Sequence, residues 1–579
     1  MVNSPCIFQT EPQKQSSRGG RRAVLFVYAT EGLENMAFIA NALSLVTYFY
    51  GFMNLSMTKS ATTLTNFMGT AFLLTLVGGY ISDTYWSRFK TCLIFLLIEL
   101  VGYVLLTVQA HYPQLRPTPC KFDVAQAHCE AADRGQLALL YTGLYLVALG
   151  TSGVKASLPA LGADQFDEKD PKEATQMSSY FNWFLFSLTI GGILGVTFVV
   201  WIGANHGWDL AFGVSAVAVL FALLSLCMGK SLYRSNKFNP KGSPLLSILQ
   251  VVVASIRNRK LPVPEKAEEL HEIHDKAAQE HEYLQRTEQF RFLDRAAVNC
   301  CRTTEGSTDS RNPGAWSLCT VTQVEEVKLL IRMLPIILST VFMNTCIAQL
   351  QTFSIQQAMT LDRNFIGFKM PGPSIPVIPL LFMLFLIPLY DRVFVPLVRK
   401  FTGIPTGIRH LHRISVGLVL SSIAMAVAGV VETWRKSVAV KHNMVDSGEP
   451  LPMSVFWLGF QYAIFGAADM FTLIGLLEFF YAESAAGMKS LGTAISWCSI
   501  AFGYFLSSVV VETVNKVSGG WLASNNLNRD RLNYFYWLLS GLSVMNFGAY
   551  LLCAWWYKYK QVEVVVQKKQ GGSPGSVEA

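Results

Sequence analysis

This chain of 579 residues carries little charge for its size: only 15% of its residues are Asp, Glu, Lys or Arg, and 51% are hydrophobic. Soluble proteins average about 25% charged residues, and the deficit here is spread along the chain as repeated apolar segments. The sequence therefore predicts a polytopic membrane protein embedded in the lipid bilayer. The net charge of +8 does not indicate a nucleic-acid partner, because the basic residues concentrate at the ends of the apolar segments and in a few loops.

Other absences exclude whole classes of function. The sequence has no Walker-type phosphate loop, which argues against a nucleotide-driven pump. None of the nine histidines lies in a predicted span, which argues against a haem ligand, a histidine proton relay or a buried catalytic histidine. No nucleophile–base or metal-ligand constellation is present, so we expect neither an enzyme nor a resident metal or cofactor. The polar N-terminus lacks a cleavable signal pattern, so we expect the first span to direct insertion.

Twelve apolar segments reach the roughly 20 residues that a helix needs to cross a bilayer. We predict spans at about 23–51, 62–83, 89–110, 136–158, 177–201, 209–229, 326–350, 373–396, 413–432, 454–480, 490–514 and 533–557. A long polar stretch separates the sixth span from the seventh. This plan predicts an all-α polytopic membrane protein with the major facilitator fold, in which 12 transmembrane helices form two six-helix halves around a site near the middle of the membrane.

The basic residues assign the N-terminus and the long polar stretch to the cytosol. Residues Pro264–Val298 within that stretch are rich in good helix formers, which predicts a helix lying along the cytosolic face. The predicted organisation is a cytosolic tail (1–22), an N-terminal bundle (23–229), a cytosolic linker with a lateral helix (230–325), a C-terminal bundle (326–557) and a disordered cytosolic tail (558–579).

The first span carries Glu31, Glu34 and Asn35 in its interior. An ionisable group in hydrocarbon is costly and is usually functional. Residues three or four apart share one face of a helix, so these side chains lie together. Burial and mutual repulsion both favour the protonated form of two close carboxyl groups. The pair therefore suits proton uptake and is expected to titrate as a coupled unit.

Lys155 lies in the fourth span, after the small residues Gly150, Thr151, Ser152 and Gly153. Small side chains let another helix approach closely, and a buried lysine needs an anionic partner. We predict an ion pair between Lys155 and the first-span acids, with a lysine that reaches the membrane surface as the alternative. Protonation of the acid, or binding of an anion by the lysine, would then release the two helices from each other.

Further polar residues extend the candidate site. Asp469 in the tenth span either faces the central cavity or is hydrogen-bonded within the C-terminal half. Gln349 and Thr352 in the seventh span either face the cavity or bind neighbouring helices. Asp83 and Arg88, in the turn between the second and third spans, are placed to form a cytosolic charge latch that gates motion. Glu99 and Glu478 are additional buried-acid candidates.

Several motifs carry a family resemblance: Gly78-Gly-Tyr-Ile-Ser-Asp83, Leu149-Gly-Thr-Ser-Gly-Val-Lys155, Gly162-Ala-Asp-Gln-Phe-Asp167, Phe181-Asn-Trp-Phe184, Glu288-Gln-Phe-Arg-Phe-Leu-Asp-Arg295, Tyr390-Asp-Arg392 and Leu477-Glu-Phe-Phe-Tyr481. Through them nearly the whole chain resembles the proton-coupled oligopeptide transporters. Within these it is similar to the plant nitrate transporter 1/peptide transporter family. The stretch Thr65–Thr70 is most similar to the plant subfamily that includes abscisic-acid and gibberellin carriers.

The resemblance implies proton-coupling roles for Glu31, Glu34 and Lys155. The family's first-span motif E-x-x-E-R/K ends here in Asn35, so its cation is missing, which puts the proton stoichiometry or strict coupling in question. The tyrosine pair that follows in peptide carriers is replaced by Phe38 and Ile39.

Three further departures bear on the substrate. The family's F-Y-x-x-I-N-x-G reads Phe184-Leu-Phe-Ser-Leu-Thr-Ile-Gly191 here, which with the lost tyrosines argues against a peptide. The tenth-span acid of peptide carriers is shortened to Asp469. Ile347 occupies the position of a histidine that nitrate carriers can use, so nitrate is not favoured.

We therefore expect a proton-coupled secondary transporter, driven by the proton gradient, that imports an apolar organic acid such as abscisic acid or a gibberellin. The substrate carboxylate would face Lys155, and its apolar body would pack on Phe38, Phe353 and Trp497. The alternatives are a low-affinity nitrate transporter and a ligand-binding sensor that does not transport. We expect the plasma membrane rather than the vacuolar membrane; the sequence leaves the oligomeric state open.

Overall fold

The computed structural model describes residues 19–55, 57–118, 132–167, 170–234, 243–266, 269–272, 284–298, 314, 316–365, 368–369, 375–404, 406–447, 449–485, 487–522 and 526–560. Within them, twelve helical segments are long and apolar enough to cross a membrane: Gly20–Gly51, Thr63–Thr84, Arg88–His111, Arg134–Ala163, Lys172–Asn205, Trp208–Gly229, Val321–Met359, Val377–Thr402, His410–Lys441, Val455–Glu483, Lys489–Ser518 and Leu532–Trp556. All twelve predicted spans are thus confirmed, six on each side of the linker.

Nine of the spans contain a single α-helix: α1 (Gly20–Gly51), α4 (Arg88–His111), α5 (Arg134–Ala163), α8 (Trp208–Gly229), α10 (Val321–Met359), α13 (His410–Lys441), α14 (Leu458–Glu483), α15 (Lys489–Ser518) and α16 (Leu532–Trp556). The other three are interrupted. The second span is α2 (Met57–Leu73) and α3 (Thr75–Thr84), the fifth is α6 (Pro171–Leu194) and α7 (Val200–Asn205), and the eighth is α11 (Val377–Leu389) and α12 (Val395–Thr402).

A turn of π-helix joins the two parts of the fifth span, at Gly195–Val199, and of the eighth, at Tyr390–Phe394. In the eighth span Pro388 lies just before the π-helical turn, and a proline removes one helical hydrogen bond and crowds the preceding turn. Such π-helical turns are frequent at functional sites. The one in the eighth span contains Asp391, which contacts the other half of the molecule.

Among the described residues, four short strands lie in the C-terminal half. Strands β1 (Leu361–Asp362) and β4 (Leu451–Ser454) pair in parallel, while β2 (Asn364–Phe365) and β3 (Phe368–Lys369) form an antiparallel pair. They lie in the loops after the seventh span and before the tenth, at the end of the bundle that the charge rule assigns to the outside.

Glycines allow the helices around the candidate site to touch backbone to backbone. A methyl group at Gly78 on α3 would lie 2.6 Å from the Gly153 Cα on α5, and one at Gly102 on α4 would lie 2.8 Å from the Val147 backbone nitrogen. No side chain fits at those distances, so only glycine permits this packing. The second and third spans are thereby packed closely against the fourth span, which carries Lys155.

The linker differs from the prediction. Its α-helix is α9 (Pro244–Arg257), which begins after Ser243, whose hydroxyl accepts a hydrogen bond from the Leu246 N–H. Proline in the first turn and a serine cap are strong start signals. The predicted helix at Pro264–Val298 is wrong for its described residues, 264–266, 269–272 and 284–298, which contain no α-helix and only 3₁₀ turns, at Glu269 and at Leu293–Ala297; the remainder lies outside the described residues.

Tertiary contacts explain why helix propensity did not prevail there. Asp294 pairs with Arg286 at 3.0 Å and with Lys328 of the seventh span at 2.5 Å, and the Thr287 N–H donates to Glu325. These buried contacts hold residues 286–294 in an irregular conformation against the N-terminal part of α10. Helix propensities are worth less than about 1 kcal/mol per residue and are readily overridden by such packing.

The two tails also differ from the predicted boundaries. The first helix begins at Gly20, so Arg21 and Arg22 lie in its first turn rather than in a tail. Lys560, assigned by the sequence to a disordered segment, donates its backbone N–H to the Glu483 carboxylate at 2.8 Å, so residues 558–560 are docked on the tenth span. Residues 1–18 and 561–579 lie outside the described residues.

Candidate functional site

The predicted ion pair between the first and fourth spans is present. The Lys155 ammonium lies 3.1 Å from Oε2 of Glu34 and 3.9 Å from Oε1 of Glu31. The other Glu34 oxygen accepts a hydrogen bond from the Thr151 hydroxyl, one turn before the lysine. All four side chains are buried. Because both Glu34 oxygens have donors, this carboxylate is stabilised as an anion opposite Lys155.

Asn35 takes part in the same network as a neutral bridge. Its Oδ1 lies 3.4 Å from the Lys155 ammonium, and its Nδ2 donates to the Leu188 carbonyl of the fifth span at 2.8 Å. The side chain that departs from the family motif is therefore hydrogen-bonded at both ends. It connects the first, fourth and fifth spans without adding a charge.

Aromatic rings cover the lysine. Its ammonium lies 5.1 Å from the ring centre of Phe38 and 5.3 Å from that of Trp497, within the range of a cation–π interaction. Phe72 stacks on Trp497 at 5.9 Å and packs edge-on against Phe38 at 5.9 Å. Trp497 belongs to the C-terminal half, so Lys155 is sealed between the halves and an anion reaches it only when they separate.

Glu31 is less well satisfied than Glu34. Both of its carboxyl oxygens are buried, and within the described residues neither has a hydrogen-bond donor. An ionised carboxylate without hydrogen-bond donors in an apolar interior costs on the order of several kcal/mol. This arrangement favours the protonated form of Glu31.

The C-terminal candidates are not brought to Lys155, apart from Trp497. The Gln349 amide donates to the Ser507 carbonyl and hydroxyl, at 3.2 and 2.8 Å. The Thr352 hydroxyl donates to backbone carbonyls of its own helix, and Phe353 packs edge-on against Phe535 at 5.8 Å. These contacts favour the helix-packing interpretation of Gln349. The exposed Thr352 is bonded within its own helix, so its contacts support neither interpretation.

Asp469 lies in the tenth span, where it interacts electrostatically with Tyr504 of the eleventh. The Tyr504 hydroxyl in turn donates to Gln351 of the seventh span. The Tyr504–Gln351 hydrogen bond thus joins the eleventh and seventh spans, with Asp469 of the tenth span nearby. The sequence singled out Gln349 and Thr352, which lie two residues before and one residue after Gln351, the residue that meets Tyr504.

The predicted latch residues Asp83 and Arg88 both contact the C-terminal half. The Asp83 carboxylate accepts the backbone N–H groups of Ser490 and Leu491, at 3.3 and 2.8 Å, where α15 begins. Negative charge is favoured at a helix N-terminus. The Arg88 guanidinium lies 3.8 Å from Asp83, and its Nε donates to the Ser490 hydroxyl at 3.0 Å.

The main partner of Arg88 is one that the sequence analysis missed. Arg88 forms a close ion pair with Asp164 at the end of the fourth span, and Tyr481 of the tenth span donates to the other Asp164 oxygen at 2.9 Å. Asp164 lies within a motif already noted, but nothing local in the sequence names its partners. The latch therefore links the second, third and fourth spans to the tenth and eleventh.

A second inter-half contact centres on Asp391 of the eighth span. Its carboxylate accepts from Ser179 at 2.9 and 2.8 Å, from the Asn182 amide at 2.7 Å and from the Trp183 indole at 3.0 Å, all on the fifth span. Arg413 of the ninth span donates to the Asn182 carbonyl oxygen at 2.6 Å, which orients the amide towards Asp391. The halves are thus closed on the side predicted to be cytosolic.

Comparison with known proteins agrees with this architecture. Residues 89–527 match the PTR2, or POT, family. The chain is 45% identical to the Arabidopsis thaliana protein NRT1/PTR FAMILY 4.5 over 546 residues, which cover 93% of this chain and 94% of that protein. It is 43% identical to NRT1/PTR FAMILY 4.6 of the same plant over 559 residues, covering 94% of each.

Solved structures show the same fold. An auto-inhibited POT family peptide transporter superimposes with a TM-score of 0.59 at 18% identity, covering 95% of this chain and 99% of that one. A POT family transporter in complex with 5-aminolevulinic acid gives 0.58 at 10% identity, covering 92% and 97%. The twelve spans, the buried Glu34–Lys155 pair and these similarities lead to one assignment: the chain belongs to the POT family of proton-coupled membrane transporters, in its NRT1/PTR branch.

Proposed function

We propose that this transporter imports an apolar organic acid, such as abscisic acid or a gibberellin, together with protons. One observation carries the proposal: Lys155, a buried cation paired with Glu34, lies against the faces of Phe38 and Trp497. A cation among aromatic rings is complementary to a ligand with one carboxylate and an apolar body.

The contacts suggest how substrate and proton are coupled. A substrate carboxylate entering between Trp497 and Lys155 would compete with Glu34 for the ammonium. Glu34 would then be left with the Thr151 hydroxyl alone, and protonation removes the cost of its uncompensated charge. Substrate binding and proton uptake therefore favour each other, which is the condition for symport.

The substrate test is uptake into expressing oocytes. Labelled abscisic acid, gibberellin and nitrate are offered separately, at acidic and neutral outside pH. We expect accumulation of one of the organic acids, larger at acidic pH. Accumulation of nitrate alone would refute the organic-acid proposal, accumulation indifferent to pH would refute coupling, and binding without accumulation would favour a sensor.

Two variants separate the roles of charge and ring. Lys155→Ala leaves Glu34 without its partner and should abolish uptake of every anion. Trp497→Ala removes apolar contact but no charge, so it should raise the KM for the organic acid and leave any nitrate flux unchanged. Lys516→Ala is the matched control, because that lysine is 74% exposed and pairs only with Glu512 one turn away.

We further propose that the protein acts at the plasma membrane. A fluorescent fusion expressed in plant cells should coincide with a plasma-membrane marker. Coincidence with a vacuolar-membrane marker would overturn this assignment. The protein would then move its substrate into or out of the vacuole.

A further inference from the structure

A third carboxyl group borders the Lys155 cluster. Glu99 lies on the third span and is fully buried. It packs where the third and fourth spans are closest, since a methyl group at Gly150 would lie within 2.6 Å of the Glu99 backbone. It interacts electrostatically with Glu34, Lys155 and Glu31, and the residue after Gly150 is Thr151, which donates to Glu34. Glu99 thus belongs to the cluster although it approaches from a different helix.

The charges of this cluster do not balance. The cluster contains three acids, Glu31, Glu34 and Glu99, but a single cation, Lys155. Asn35 adds no charge to it. Glu34 alone among the three has donors on both oxygens. The remaining two would leave a double negative charge in an apolar interior if ionised, which is costly enough that such groups bind protons instead.

Glu99 is the more isolated of those two. Neither of its buried oxygens has a hydrogen-bond donor among the described residues, whereas Glu31 at least lies 3.9 Å from the lysine. On its own helix the titratable neighbour of Glu99 is Tyr103, one turn away, which carries no positive charge. The sixth span, which also packs on the third, has no Asp, Glu, Lys or Arg between Asp209 and Gly229. Among the described residues, Lys155 is therefore the only cation near Glu99.

We propose that Glu99 is a third proton-binding site of the transport cycle. While the cluster is sealed, Glu99 holds a proton as the neutral acid. When the cytosolic latches open and water enters, the Glu99 O–H bond breaks, its proton passes to water, and the carboxylate remains as an anion that is now hydrated. Position 35 carries a cation in the family motif and Asn here. Glu99 can bind a proton without that cation. This inference rests on the proton-coupled function proposed above.

The test compares Glu99→Gln, which mimics the permanently protonated acid, with Glu99→Asp, which keeps a titratable group. Tyr103→Phe is the matched control, because it changes a buried polar group one turn away without removing a carboxyl group. The first measurement is infrared difference spectroscopy between acidic and neutral pH, on the full-length protein in lipid nanodiscs. It needs no substrate.

We expect the protonated-carboxyl band of the wild type to change with pH, and Glu99→Gln to lose one component of that change. Glu99→Asp and Tyr103→Phe should retain it. A pH-dependent band that is identical in Glu99→Gln and wild type would overturn the proposal, because Glu99 would then keep one protonation state throughout.

Transport provides the second readout. Glu99→Gln should lose concentrative uptake driven by acidic outside pH while retaining exchange of internal for external substrate, which needs no net proton movement. Uptake by Glu99→Gln with the wild-type pH profile would refute the proposal. If the wild type itself accumulates none of the organic acids, the proposed substrate is wrong, and the infrared result still decides the role of Glu99.

Discussion

Removing the negative charge of Asp391 should open the side of the transporter predicted to be cytosolic. In the closed structure the Asn182 amide donates to one Asp391 oxygen and the Trp183 indole to the other, at 2.7 and 3.0 Å. An asparagine at position 391 has one acceptor oxygen and one NH₂ group. Because the Asn182 carbonyl is held by Arg413, the Asn182 amide cannot turn to compensate. One of the two N–H donors must therefore lose its acceptor.

The size of the effect follows from that lost contact. A hydrogen bond to a charged group contributes about 1.5–3 kcal/mol. Asp391 is only partly buried, so the lower end of that range applies. A loss of about 1.5 kcal/mol changes the equilibrium between closed and open forms roughly tenfold. The open form needs no such contact, since water solvates both donors there.

The assay is a distance measurement by electron–electron double resonance. Spin labels at Lys172 and Lys400, exposed residues near the cytosolic ends of the fifth and eighth spans, report separation of the halves in a background without native cysteines. Asp391→Asn should enlarge the long-distance population roughly tenfold relative to the short one. Asp446→Asn is the matched control, because Asp446 pairs with Arg529 on an exposed loop within one half. A distribution unchanged by Asp391→Asn, or changed equally by the control, would refute the reasoning.

Two further variants test the packing and charge of the site. Asn35→Arg adds a cation beside Glu31 and Glu34, which favours their ionised forms. Their protonation then needs more acid, so the pH profile of uptake should move to lower pH. Asn205→Arg, at an exposed position, is the control, and a matching profile in the two variants would contradict this prediction. Gly78→Ala should destabilise the protein by about 1–3 kcal/mol in thermal unfolding, because the new methyl group meets Gly153. Gly541→Ala, where the methyl group meets nothing within 4 Å, should not; equal stability of the two variants would argue against close helix packing at Gly78.

The cluster itself illustrates how far sequence reasoning reached. Glu31, Glu34 and Lys155 were identified because a charge in hydrocarbon is costly and must be compensated, which holds whatever the fold. The ion pair between Lys155 and the first-span acids is predictable because a lysine within a span needs an anionic partner. The choice of Glu34 over Glu31 as the principal partner did not follow, since it depends on the Thr151 hydroxyl.

The linker shows the opposite case. Its composition predicted a helix at Pro264–Val298, but Asp294 and Thr287 are held by Lys328 and Glu325 of the seventh span. Helix propensity contributes little free energy per residue, and leaving these buried charged side chains without their partners would cost more. The start of α9, which was not predicted, is by contrast set locally, because Ser243 and Pro244 act on the backbone next to them.

The amino-acid sequence by itself determined the twelve spans, their division by a linker and the buried acids and lysine. Each of these follows from the transfer of local segments or single charges between water and hydrocarbon. Only the tertiary structure decided which groups meet across the molecule. Arg88 joins Asp164 over 76 positions, Gln349 joins Ser507 over 158, and Asn182 joins Asp391 over 209. Such pairings depend on how whole helices pack, which is a property of the assembled bundle and not of any one segment.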